Sequence, residues 1–550
     1  MEKRWELRRI NFTPRGKYPS LIEKLLCARG IENPDIFFHP SPSHLHSPFL
    51  FEDMERAVSR IKLAIDRKEK IMVHGDYDAD GITATALLLK ILKYLGGDVI
   101  PYIPHRIEEG YGLSREGVER AKSLGVSLII TVDTGVSSKK EVELADLYGM
   151  DVIITDHHEP PEILPPAHSI INPKLSETYP YRELSGVGTA FKLAQALMGE
   201  DERKKRFLFW QLDLVALGTV ADIVPLTGEN RTLVKLGLEI INRTKKPGLK
   251  ALMKAAGIER VDAWGIGYIL APRINASGRI AHAGRALRLL LSGQERAGKF
   301  AKELESLNLK RRKLDEKISE EAFSKIPSPL PYGIVLAGEG WHEGVIGIVA
   351  GRIAEEFYRP TLLIALKGDK GKGSGRSIPE VNLYRVMEKC RDLFISFGGH
   401  TLACGFTIER NKIPELEMRF NEAVQEELEG KEPVPVIHID AEIFPEEITH
   451  EVLSYLDLFS PFGPGNERPV FLIRDAEVVG YPGKIGGRHV KFRIRKGNEG
   501  IPVLGFNMQD VPQRGERLDI VFRIVKDTYM GRERITLYLE DSPRRRNVGA

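Results

Sequence analysis

The stretch His74-Gly75-Asp76-Tyr77-Asp78-Ala79-Asp80-Gly81 sets three carboxylates within five residues, just after the apolar run Ile71-Met72-Val73 and just before a helical pattern. Carboxylates this close repel one another strongly at low dielectric, so either water or a cation must neutralise them. Their position favours a cation, because α/β sheets bind ligands at the carboxyl ends of their strands. Two more apolar runs finish in the same way. SLIITVD ends on Asp133, and DVIITDHH ends on Asp156, His157 and His158. In a parallel sheet these ends converge on one edge. Asp222, closing the apolar part of DLVALGTVADIVPL, adds a carboxylate where an uncompensated charge would be costly to bury. Taken singly, it also reads as a helix-capping aspartate.

Carboxylates joined by one or two imidazoles suit Mg²⁺ or Mn²⁺, and the histidine tilts the choice toward Mn²⁺. Such an oxygen-rich site can hold two ions about 3.5 to 4 Å apart, activate water and clamp a phosphoryl oxygen, so phosphate-ester hydrolysis is the chemistry expected. A thiolate site is not indicated, because Cys27, Cys390 and Cys404 lie far apart with no CxxC pair.

A chain of 550 residues exceeds what one core supports, about 250 to 300 residues. The periodicity predicts a mixed α/β protein in several parts. Residues 1–50 read as an N-terminal extension packed on the neighbouring domain. Residues 51–230 alternate buried strands with helices, the pattern of a doubly wound parallel sheet. Residues 231–328 are helical and end in a long charged connector helix without proline. Residues 329–432 form a second α/β domain, with strands at GIVLAGEG, PTLLIAL and CGFTIE and helices near 345–357, 383–396 and 413–428. Residues 433–550 carry short strands broken by Gly and Pro, which suggests an OB-like β-barrel with a basic tail. No run of about 18 apolar residues occurs and the first residues lack an apolar stretch, so a cytoplasmic protein without membrane contact is expected.

HGDYDADG, TVDTG, ITDHH and GTVADIVPL resemble, in order and spacing, the four motifs of the DHH phosphoesterases. PRINASGRI, GEGWHEGVIGIVAGRI, GKGSGRS and FGGHTLACGF are similar to segments of that family's single-strand-specific 5′ exonucleases. The resemblance implies a DHH catalytic domain followed by a DHHA1-like domain that closes over the cleft. It implies Asp76, Asp78, Asp133, His157 and Asp222 as ligands of two ions, Mn²⁺ or Mg²⁺, with Asp133 as the candidate bridge. His74, Asp80 and His158 would belong to the site in roles left open, His158 as a hydrogen-bond donor to phosphate. The implied activity is 5′ to 3′ removal of mononucleotides from single-stranded DNA in repair and recombination, by a monomer working with a single-strand-binding protein and a RecQ-type helicase. A small-substrate phosphodiesterase of the same family, acting on short oligonucleotides or cyclic dinucleotides, is the alternative. A scaffold that has lost its metal ligands is disfavoured, because every ligand position is intact.

Arg273, Arg279, Ser374, Arg376 and His400 lie in Gly-, Ser- and Asn-rich segments that read as loops, where amides and guanidinium groups can surround phosphate. The resemblance assigns Arg273, Ser374, Arg376 and His400 to the scissile region or the terminal phosphate, with Arg106 and Tyr111 as weaker candidates. In the barrel, HVKFRIRK alternates Val490, Phe492 and Ile494 with Lys491, Arg493 and Arg495, so one strand face is buried and the other cationic. From Lys484 onward, 15 Lys and Arg stand against 8 Asp and Glu, although the whole chain carries only +3. Lys491 and Arg493, with stacking on Tyr529 or Tyr538, would hold a single strand.

Overall fold

The computed structural model describes residues 3–9, 12–14, 16–529 and 532–545. Two compact units emerge. One comprises residues 41–433 with 463–465; the other joins residues 1–40 to 434–462 and 466–550.

In the larger unit, strands β1 (Lys70–Gly75), β2 (Asp98–Tyr102), β3 (Val126–Val132), β4 (Asp151–Thr155) and β5 (Ser169–Ile171) form a wholly parallel sheet in the order 2-1-3-4-5. Ile71, Val73, Leu128, Ile130, Ile153 and Ile171 enter one apolar core, whereas Met72, Ile129, Val152 and Ile154 enter another. Both faces of the sheet are therefore covered, which is why its strands read as unbroken apolar runs. Helices α1 (Ala79–Tyr94), α2 (Arg115–Ser123), α3 (Gly186–Met198) and α4 (Leu212–Ala221) belong to the same unit. In this strand order the chain reverses direction between β1 and β3, and the crevice outside their carboxyl ends is where such sheets bind ligands.

Further along, α5 (Ala271–Ile280) and the 31-residue α6 (Gln294–Ser324) lead into a second sheet. Its strands are β6 (Ile334–Glu339), β7 (Thr361–Lys367), β8 (Lys370–Arg376), β9 (Phe394–Gly399) and β10 (Ala403–Glu409), in the order 9-10-8-7-6, with helix α7 (Ile346–Phe357) between β6 and β7. Two features depart from the sequence reading. The helix expected over 383–396 stops at Glu388, and residues 394–399 form β9 instead. GKGSGR, read as a loop, is strand β8, whose buried positions are glycines. A Cβ at Gly371, Gly373 or Gly375 would lie 2.4 Å from Ile364, 2.0 Å from Phe406 or 2.5 Å from Cys404, so only glycine fits between the flanking strands.

The smaller unit contains a five-stranded barrel of β11 (Phe471–Ile485), β12 (His489–Lys496), β13 (Glu499–Gly505), β14 (Arg517–Tyr529) and β15 (Arg532–Leu539). The pairing runs 11-12-13-15-14 and closes from β14 back to β11, with β13 and β15 parallel. Val490, Phe492 and Ile494 point inward, and Lys491, Arg493 and Arg495 point outward. Residues 1–40 belong to this unit rather than to the domain next to them in sequence. Arg4–Leu7 pairs in parallel with Val436–Ile439, and Leu21, Ile22, Leu25, Leu26 and Phe38 enter the barrel core. An apolar face so far in sequence from its partner could not be matched to it by local pattern alone. The side chain of Tyr529 and the tail beyond Arg545 lie outside the described residues.

Candidate metal and substrate site

Asp76 and Asp78 follow β1, Asp133 follows β3, Asp156 and His157 follow β4, and Asp222 ends α4. The strand-end carboxylates thus flank the crevice at the reversal of strand order. Donor atoms of Asp76, Asp78 and Asp133 lie within 4.8 Å of one another, as do those of Asp80, His157 and Asp222 and those of Asp133, His157 and His158. His157 Nε2 stands 3.1 Å from Asp133 Oδ1 and 3.5 Å from Asp222 Oδ2.

Local structure holds this cluster together. Asp78 caps α1, accepting from the backbone N–H groups of Asp80 and Gly81 at 2.9 and 3.1 Å. Gly81 admits the loop: a Cβ there would sit 2.6 Å from the Asp76 nitrogen. Asp133 has φ +61°, a strained conformation of the kind that collects at functional sites. Gly186 makes room for it, since a Cβ there would lie 2.3 Å from Asp133 Oδ1. Asp80, fully buried, accepts from the N–H groups of Gly186 and Val187 at 2.6 and 3.0 Å and so anchors the start of α3.

The donor set fits a cation. Asp76 Oδ1, Asp133 Oδ1, His157 Nε2 and Asp222 Oδ2 are buried without a hydrogen-bond partner among the described residues, a costly condition for polar atoms. Donors about 2.1 Å from one octahedral ion lie about 3 Å apart along an edge, close to the spacings around His157 Nε2. Electrostatics agree. Burial, with repulsion from Asp78, pushes Asp76 up to about 8 and Asp222 up to about 7. Burial and neighbouring carboxylates also push Asp133 and Asp80 well above the usual range. The protein alone therefore cannot keep all these carboxylates ionised at neutral pH. Burial lowers His157 to about 3, so its imidazole is neutral, and the Leu184 backbone holds the ring, leaving Nε2 as a lone-pair donor. His74 is also buried, lowered to about 4, with an unpartnered Nδ1, but it stacks on Tyr102 and falls in none of the three donor clusters.

Asp156 was visible in the sequence only as a strand-end carboxylate. It accepts from the N–H groups of Val136, His157 and His158 and from His158 Nδ1, the last at 2.7 Å. Although burial opposes it, this bond holds His158 above its ordinary pKa. The spacing in D-H-H is the signal, since a carboxylate two residues before a histidine can meet its near ring nitrogen.

The substrate-side candidates divide. Arg106 lies over the Tyr77 ring at 4.8 Å, Tyr111 Oη stands 2.8 Å from His158 Nδ1, and the His400 ring is 6.5 Å from that of His158. A cleft of about 630 Å³ is lined by Arg106, Tyr111, Lys372, Phe397 and Gly398 among others. Arg279 is half-buried, donates to the Gly344 carbonyl, and is lowered to about 9 by desolvation and by repulsion from Arg106, Arg376 and Arg311. Ser374 and Arg376 face the first turn of α7, where a Cβ at Gly347 would meet Ser374 Oγ at 2.8 Å and Arg376 Nη2 at 3.2 Å. Guanidinium groups, a hydroxyl and a helix N-terminus are the kinds of donor that suit an anion. None of the four sits in a loop as expected: Arg273 and Arg279 are on α5, Ser374 and Arg376 on β8. Arg273 is bound to Glu305 and the Ile269 carbonyl, so it braces α6. In the barrel, Arg493 donates to the Gly500 carbonyl and Arg495 pairs with Glu477, while Tyr538 packs edge-on against Phe506 at 5.2 Å.

Family models match three parts of the chain: the DHH family, N-terminal domain over residues 70–219, the DHHA1 domain over 331–429 and the RecJ OB domain over 439–541. The single-stranded-DNA-specific exonuclease RecJ of Bacillus subtilis is 39% identical over 563 residues, spanning 98% of this chain and 70% of the relative. The chain belongs to the RecJ family. The Escherichia coli RecJ is 35% identical over 564 residues, covering 96% of each chain. The crystal structure of RecJ in complex with Mn²⁺ from Thermus thermophilus superposes with a TM-score of 0.85 at 29% identity, covering 98% of this chain and 79% of that one. The residues matched by the RecJ OB domain take in all five strands of the barrel. Among the described residues no helix is long and apolar enough to cross a membrane.

Proposed function

We propose that this chain is a metal-dependent exodeoxyribonuclease that removes 5′-mononucleotides from single-stranded DNA in the 5′ to 3′ direction, in repair and recombination. The observation that carries the reading is the convergence of unpartnered, buried Asp76, Asp133, His157 and Asp222 atoms on the crevice between β1 and β3. Family membership favours this substrate over a dinucleotide, and so does the barrel with its outward Lys491 and Arg493.

Asp76, Asp78, Asp133, His157 and Asp222 would hold two ions, Mn²⁺ or Mg²⁺, with Asp133 shared between them. When bound, such ions supply an acidified water as nucleophile and neutralise charge on the phosphoryl oxygens. Asp80 acts by fixing the start of α3 against the cluster, and His74 by packing beneath it. His158, held by Asp156, donates a hydrogen bond to a non-bridging oxygen, where a fixed donor counts most as charge develops. Arg106, Arg279, Ser374 and Arg376 grip the terminal phosphate, and Tyr111 and His400 line the path to it. Arg273 contributes through the position of α5. Lys491 and Arg493 attract the strand's backbone, with Tyr538 alongside, in a salt-dependent manner. A monomer in the cytoplasm, working with a single-strand-binding protein and a RecQ-type helicase, completes the reading.

Digestion of end-labelled single- and double-stranded DNA with Mn²⁺, Mg²⁺ or EDTA tests polarity, strand selectivity and metal dependence together. The expected result is metal-dependent release from the 5′ end of the single strand alone. Cleavage confined to dinucleotides overturns the substrate. Asp133→Ala should abolish release while sparing DNA binding, and undiminished release removes the site.

A further inference from the structure

Residues 103–113, between β2 and α2, carry both Arg106 and Tyr111, and Glu109 lies in their midst. One Glu109 oxygen accepts from the Tyr102 and Ser114 hydroxyls, each at 2.7 Å, and the other accepts from the His105 N–H at 2.6 Å. Tyr102 is the last residue of β2, and Ser114 caps α2 through a 3.0 Å bond from the Gly117 N–H. A single carboxylate thus ties both flanks of the loop to its first arm. Gly110 and Gly112, at φ +83° and +115°, let the chain double back around it. Burial opposes the charge, but these bonds outweigh it and hold Glu109 below the usual carboxylate range.

The clasp fixes where the loop's two functional side chains point. Arg106 lies over Tyr77, inside the acidic turn, and Tyr111 reaches His158. The single proton on His158 Nδ1 goes to Asp156, the stronger acceptor, and the Tyr111 hydroxyl donates only a long 3.5 Å bond to the Asp133 carbonyl. Tyr111 is therefore a weak tether for the loop beside the short bonds of Glu109. Lys372 touches the loop at the Ile107 carbonyl, at 3.4 Å. An unclasped segment of this length would regain backbone freedom and present Arg106 in many positions.

We propose that Glu109 is a positioning residue that sets the preference for strands ending in a 5′-phosphate, by holding Arg106 and Tyr111 in register with the acidic turn. The proposal rests on the proposed placement of Arg106 in the terminal-phosphate pocket. Preorganised geometry is worth up to about a hundredfold when a binding group is displaced by roughly an ångström.

The test compares kcat and KM on one single-stranded oligonucleotide bearing either a 5′-phosphate or a 5′-hydroxyl. It uses the full chain, Arg106→Ala, Glu109→Ala, Glu109→Gln and Tyr102→Phe, with Mn²⁺ binding measured by calorimetry. Glu109→Ala should lower the phosphate-to-hydroxyl ratio of kcat/KM about tenfold or more, mainly through KM, while Mn²⁺ affinity stays within about twofold. Tyr102→Phe, which removes one clasp bond, and Glu109→Gln should fall in between. Should Glu109→Ala fail to fold, these two conservative variants decide, and an unchanged ratio in both overturns the proposal. If Arg106→Ala lowers the ratio and the Glu109 variants do not, Glu109 has no positioning role. An unchanged ratio in Arg106→Ala instead removes the pocket assignment itself.

Discussion

Stripping the metal should make the protein lose stability as pH rises from 6.5 to 8.5, because its buried carboxylates then ionise against one another. In the folded chain Asp76 is raised to about 8 and Asp222 to about 7, against an ordinary 3.8 once unfolded. A raised folded value means that the bound proton stabilises the fold. That contribution is complete below the unfolded value and vanishes as pH passes through the folded one. His157 and His74, lowered to about 3 and 4, act in the opposite sense, but only below about 6.5, where the unfolded imidazoles protonate. Above 6.5 those two histidines no longer contribute. His158, held above its ordinary value by Asp156, loses its proton in the same window and adds to the decline, whereas Lys235, lowered to about 8 by burial, opposes it. The two carboxylates are separated from these groups by their asparagine variants. Across it Asp222 loses about 1 kcal/mol and Asp76 about 2 kcal/mol, a combined loss of about 3 kcal/mol, or about 5 °C in Tm. Thermal unfolding of EDTA-treated protein at several pH values reads this directly, and adding Mn²⁺ should abolish the decline because the ion replaces the protons. Asp76→Asn with Asp222→Asn should flatten the metal-free curve. A metal-free curve between pH 6.5 and 8.5 that falls no more steeply than that of the double asparagine variant refutes the mutual repulsion on which the cation site rests.

Three further outcomes are expected. Gly186→Ala should weaken Mn²⁺ binding by at least about tenfold, measured by calorimetry, because the new methyl would overlap Asp133, while far-ultraviolet circular dichroism stays unchanged. Lys491→Ala should weaken binding of long single strands and reduce the magnitude of the salt slope of log K by about 0.7, with dinucleotide turnover unaffected. Phe492→Ala should destabilise the barrel unit by about 3–5 kcal/mol, seen as an earlier first transition in denaturant.

The acidic turn, Asp133, His157 and Asp222 were legible because strands buried on both faces advertise themselves as apolar runs, and a carboxylate at the end of such a run is conspicuous. Barrel strand β12 was legible through its strict alternation. Strand β8 was not, because the rule that buried positions are apolar fails where neighbouring strands leave room only for glycine, at Gly371, Gly373 and Gly375. Period-two glycine alternating with Lys, Ser and Arg was the signal available. Arg273 illustrates another limit: an arginine beside Asn and Gly looks solvated and ready for phosphate, and only the folded chain reveals Glu305 opposite it. The clasp on Glu109 was equally hidden, since Tyr102, His105 and Ser114 become its partners only once the loop has closed.

The barrel unit draws on both flanks of the chain, with the Trp5 indole bonded to Asp541 and Lys3 to the Glu540 carbonyl. Residues 41–433 must leave the ribosome between its two halves. At about 5 to 20 residues per second that interval lasts roughly 20 to 80 s. During it the parallel sheet and its carboxylate cluster can mature while Leu21, Ile22, Leu25 and Phe38 still await their partners. Newly made chains should therefore carry a finished cutting site before they can grip a long strand, with an apolar N-terminal segment exposed to chaperones in the meantime.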